Sequence, residues 1–175
     1  MVATRLSTSD IRRLLAMLDE ELAAARAEGE VYLVGGAVMC MVLGARDATR
    51  DVHALFRPTR VIREAAARVA ARANAPAGWL NDAVKGFLMS KGDFEPYLEL
   101  EHLRVFTAAP TYLLAMKCAA MRIGEEFHDL EDVRYLLRYL NIGTAQEALE
   151  IVTQYFEEKD LPPKTRLALE EMLGE

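Results

Sequence analysis

The sequence predicts an α+β chain in which a mixed strand-and-helix part, residues 1–109, is followed by an all-helical part, residues 110–175. Three observations carry this reading. Between Val31 and Phe56, short apolar runs are separated by Gly35-Gly36 and by a polar stretch, a strand–helix–strand order. Tyr97–Glu101 and Leu103–Thr107 alternate as strands do. From Pro110 onward, apolar residues recur at helical spacing instead.

The chain's 175 residues fit one domain, or a small core with a helical appendage. Hydrophobic residues make up 52%, enough for a core, and charged residues 27%, close to the usual ~25% of globular domains, which argues against disorder except at the ends. A net charge of −6 provides no global attraction toward nucleic acid.

In order along the chain, Ser7-x-x-Asp10 resembles a capping box. Ile11, Leu14, Leu15, Leu18 and Leu22 follow at helical spacing, so a first helix is expected over 8–28 with Gly29 as its C-cap. Val31–Val34 reads as a buried strand, 37–43 as a buried helix, apolar all round, and 52–56 as the next strand. Pro58-Thr59 opens an Ala/Arg-rich helix to Ala73, and 74–78 is a loop. The stretch 79–87 is expected to form a short helical turn, and 90–96 carries turn signals. The two later strands form a hairpin or one bent strand. Pro110 suits the first turn of a helix to Arg122, because its missing N–H has no intrahelical role there. Helices are expected over 130–140, from the Thr144-x-x-Glu147 box to Phe156, and from Pro162-Pro163 to Leu173.

Cys40 and Cys118 sit far apart in apolar surroundings and match no zinc spacing. They read as buried thiols in a reducing compartment. No apolar run approaches the ~20 residues of a membrane span. Nor does the N-terminus resemble a signal peptide. A cytoplasmic protein with no membrane partner is expected.

Several residues carry candidate chemistry. Gly35-Gly36, after a strand, allows close backbone approach to a ligand, and the following helix offers free N–H groups to a phosphate. It is neither a P-loop nor a dinucleotide fingerprint, and a plain tight turn is the alternative. Asp51-x-His53 places two side chains on one side of a strand, where both can touch one ion. A strand-end aspartate with a surface histidine is the bland reading. Arg46, Thr49 and Arg50 precede the pair and can meet phosphate oxygens or line a solvated loop. Lys117 lies inside an apolar helix and must reach solvent or a partner. Asp129 and Asp132, at i and i+3, are candidate partners for a structural ion pair. Glu99 and Glu101 alternate on a strand, where solvent exposure is the ordinary outcome. Asn81-Asp82 caps a helix or lines a cleft.

Val34-Gly35-Gly36-Ala37, Thr49-Arg50-Asp51-Val52-His53, Leu113-Leu-Ala-Met-Lys117 and His128-Asp129-Leu-Glu-Asp132 together resemble the nucleotidyltransferase superfamily with the DNA-polymerase-β-like fold. The likeness is to small bacterial toxin-type members related to abortive infection. It covers about residues 31–140. It implies a small mixed β-sheet flanked by helices with a C-terminal helical subdomain. It also implies transfer of a nucleoside monophosphate from a nucleoside triphosphate to an RNA or protein acceptor, supported by Mg2+ or Mn2+. Toxins of this kind act with a cognate antitoxin or in phage defence. Carried over, Gly35 and Gly36 would seat the triphosphate, and Asp51 and position 53 would bind metal. Glu99 or Glu101 would supply a third carboxylate, and Lys117 would meet phosphate with Asp129 and Asp132 arranging that side. His53 departs from the pattern, which has a carboxylate there. Imidazole suits manganese or zinc better than magnesium. The resemblance therefore leaves two readings open: an active transferase, or a nucleotide- or partner-binding module of the same fold. A third reading is a purely structural interaction protein.

Overall fold

A computed structural model of the chain describes residues 4–82, 92–124 and 127–174. The contacts divide it into two units, residues 1–86 with 94–108 and residues 87–93 with 109–175. The architecture is α+β, with a mixed five-stranded sheet and, among the described residues, seven α-helices.

The first unit opens with β1 (Leu6–Ser7) and α1 (Thr8–Ala24). Ser7 and Asp10 form the expected capping box, the Ser7 hydroxyl accepting from the Asp10 N–H while the Asp10 carboxylate accepts from the Ser7 N–H. The helix stops at Ala24, shorter than expected, because Arg26 turns to φ 54°. Gly29 is consequently not a cap but the first residue of β2 (Gly29–Leu33). There follow α2 (Gly35–Met41), β3 (Ala48–Thr49), β4 (Val52–Arg57) and α3 (Thr59–Ala73), which ends on Asn74 in the left-handed region. Trp79 does not begin a helical turn: Leu80–Asn81 forms a short strand, β5, alongside β4, and the rest of that expected turn lies outside the described residues. β6 (Phe94–Glu99) and β7 (Leu103–Ala108) make a hairpin, so Phe94–Pro96 belongs to a strand where turn signals were expected.

The main sheet runs β5-β4-β2-β7-β6, while β1 and β3 pair separately. β2 is antiparallel to β4 and parallel to β7. One face carries Val31, Leu33, Val52, Ala54, Phe56, Leu103 and Val105, all buried. The apolar stripes of α1 (Ile11, Leu14, Leu18) and α3 (Ile62, Ala66, Val69) are likewise buried, and those helices contact the sheet and each other. Arg68 and Arg72 reach from α3 to Glu21 on α1 at 2.7 Å each. The Trp79 indole N–H donates to the Ala66 carbonyl at 3.0 Å, which satisfies the one polar atom of a fully buried ring. The opposite sheet face carries a row of alternating charge, Arg57, Glu30, Arg104 and Glu99, in register across four strands.

The second unit contains α4 (Pro110–Ala119), α5 (Asp129–Tyr139), α6 (Ala145–Val152) and α7 (Pro163–Leu173). Pro110 sits in the first turn of α4, and the Thr144–Glu147 box caps α6, both as expected. Helices α4 and α6 each end several residues earlier than expected. Thr165, buried on α7, donates to the Cys118 carbonyl at 2.8 Å. Cys40 and Cys118 are buried and free, and burial pushes the Cys118 thiol up to about 12. Among the described residues, no helix is long and apolar enough to cross a membrane.

Candidate functional site

Two strand ends and one short helix build the site in the first unit. β2 ends at Leu33, and Val34 N–H donates to the His53 carbonyl at 3.0 Å. That bond places the Gly35-Gly36 turn beside the start of β4. Gly35 has φ +62°, a conformation that strains any side chain, whereas at Gly36 space is the constraint. A Cβ on Gly36 would stand 2.8 Å from Thr49 Oγ1 and 3.3 Å from Arg46 Nη1. Thr49 is buried, and its hydroxyl donates to the Asp51 carbonyl at 3.2 Å. The sequence thus uses a residue without a side chain where a hydroxyl and a guanidinium press against the backbone. The glycines were expected to precede a helix; they form its first turn instead, and α2 has only seven residues.

Asp51 lies just before β4 and His53 is its second residue, so the two face one way. They do not diverge around a common ion position. His53 Nε2 lies 2.9 Å from Asp51 Oδ1, and Asn81 Nδ2 donates to Asp51 Oδ2 at 3.1 Å. The side chains of His53 and Asp51 are 34% and 38% exposed, so the pair is reachable from solvent. The hydrogen bond from His53 holds the Asp51 carboxyl below its ordinary range; its burial opposes this, and the charge of Arg50 adds to it. Asp51 is therefore ionised throughout the neutral range. Arg50 is exposed and Arg46 half-buried.

The structure does not bring Glu99 or Glu101 to this corner. Glu99 is the last residue of β6, at the sheet edge opposite β5 and β4, and Glu101 follows the strand in the turn. Glu99 pairs with Arg104, which is level with Glu30 and Arg57, the far end of β4 from Asp51. Both glutamates are exposed.

Lys117, Asp129 and Asp132 belong to the second unit. There they form one buried cluster, with Lys117 Nζ 2.7 Å from Asp132 Oδ2 and 3.3 Å from Asp129 Oδ1. Arg122 joins through its backbone N–H at 3.0 Å and its Nε at 2.9 Å, both to Asp129 Oδ2. Burial pushes Asp129 up, but the Arg122 hydrogen bonds and the charge of Lys117 outweigh it, leaving the carboxyl below its ordinary range. This is the ion-pair alternative of the sequence reading. The same unit has a surface cavity of about 400 Å³ between Leu149, Leu161, Pro162 and Leu167, and none of the expected site residues lines it.

Asn81 is the residue whose role at the site was missed. Its carboxamide orients Asp51 from thirty positions away, and only the β4–β5 pairing, which sets Asn81 opposite His53, reveals it.

No family model matches the chain, and no curated protein or solved structure matches it either.

A divalent cation of the kind the sequence resemblance implies can be tested against these donors. Magnesium is bound through near-ideal octahedral oxygen geometry, usually by one or two carboxylates together with substrate phosphates. Here a single carboxylate is present, both its oxygens accept protein hydrogen bonds, and its strand neighbour is an imidazole. Among the described residues no group of three or more His, Cys, Asp or Glu converges as a metal site. The donor set does not fit the paired-carboxylate magnesium centre.

Proposed function

We propose that the first unit is a nucleotidyltransferase-like module that binds a nucleoside triphosphate at the corner made by Gly35, Gly36, Arg46, Thr49 and Asp51. The observation that carries the reading is the corner at Gly36, where the position a Cβ would take lies 2.8 Å from the Thr49 hydroxyl and 3.3 Å from an Arg46 guanidinium nitrogen, and where Thr49 donates to the Asp51 carbonyl. Guanidinium groups recognise phosphate oxygens with planar paired donors, and the charge of the exposed Arg50 is felt at Asp51. Asp51 borders the corner, its carboxylate held by His53 and Asn81.

The reading stops at binding. Transfer of a nucleoside monophosphate to an RNA or protein acceptor, and with it a toxin role balanced by an antitoxin, would require a second group to share the charge of a bound cation. By the resemblance, that position falls on His53, an imidazole in place of a carboxylate. Direct titration with ATP, GTP, CTP and UTP tests the proposal. At least one is expected to bind, and Arg46→Ala is expected to weaken it by about tenfold or more. Unchanged affinity in Arg46→Ala would remove the guanidinium from the site. Metal-dependent transfer of labelled nucleotide to RNA or protein would overturn the restriction to binding.

A further inference from the structure

We draw no further inference here: the strongest candidate, the outer face of α5 where the exposed Arg134 and Arg138 lie beside the stacked rings of Tyr135 and Tyr139, belongs to a chain of net charge −6 that offers a nucleic acid no wider basic surface, and nothing in the structure shows what covers it.

Discussion

Replacing Lys117 by methionine removes the centre of the buried charge cluster in the second unit while keeping most of the side chain's volume. Lys117 is 14% exposed and the two carboxylates it bridges are each 5% exposed, so water compensates little for its loss. Breaking a buried ion pair by deleting one partner costs about 3–5 kcal/mol, since a buried charge is left behind. Arg122 continues to serve Asp129 through three hydrogen bonds, so the loss falls mainly on Asp132 and should lie near the lower end, about 3 kcal/mol. For a chain of this size that corresponds to roughly 6–12 °C in Tm. Urea unfolding followed by far-ultraviolet circular dichroism measures it, as a lower midpoint at unchanged slope. The pH dependence has a definite sign. Asp129 has a depressed carboxyl, so its contribution is present above the ordinary value of 3.8 and is lost as pH falls through its lower folded value. The gap between Lys117→Met and the wild type is therefore expected to be widest near neutrality and to narrow in acid as the carboxylates take up protons. Adding Asp129→Asn and Asp132→Asn to Lys117→Met should recover much of the loss, because no buried charge then remains. A loss below about 1 kcal/mol, or a gain, would refute the reasoning and show that Lys117 is held in the cluster at a cost, as functional lysines are.

Two further outcomes are expected. Gly36→Ala brings a methyl to 2.8 Å from Thr49 Oγ1 and should cost about 1–3 kcal/mol by overpacking, whereas the same change in a Thr49→Ala background should cost less, with a coupling above about 1 kcal/mol in a double-mutant cycle. Trp79→Phe removes the donor to the Ala66 carbonyl and leaves a gap in a fully buried position, so a loss of about 1–3 kcal/mol is expected in denaturant unfolding monitored by circular dichroism.

Features decided by nearby residues were legible in the sequence. Both capping boxes, Ser7 with Asp10 and Thr144 with Glu147, form as their spacing implies. So does the proline start of α4 and the alternation that makes the β6–β7 hairpin. What failed depends on partners distant in sequence. Leu80–Asn81 is a strand only because β4 pairs with it, and a two-residue strand has no period of its own. Gly29 looked like a cap because the end of α1 is set by Arg26 turning left-handed, a choice no motif announces. The address of Glu99 follows from strand order and from a register shift between Pro96 and Leu98, neither of which is visible in a local alternation. At the site, i and i+2 spacing placed Asp51 and His53 on one side correctly. Spacing alone leaves open whether two such groups turn toward a shared ion or toward each other, and the carboxamide of Asn81 enters from another strand.

The most direct test of the account is the chemical-shift change of the backbone amides on titrating the chain with ATP, GTP, CTP and UTP in turn, each in EDTA and in millimolar magnesium. The account requires saturable shifts concentrated at Gly35, Gly36, Thr49, Arg50 and Asp51, with residues of the β6 end such as Glu99 unmoved. Shifts confined to the second unit, or none with any of the four triphosphates at several millimolar in either buffer, would contradict it.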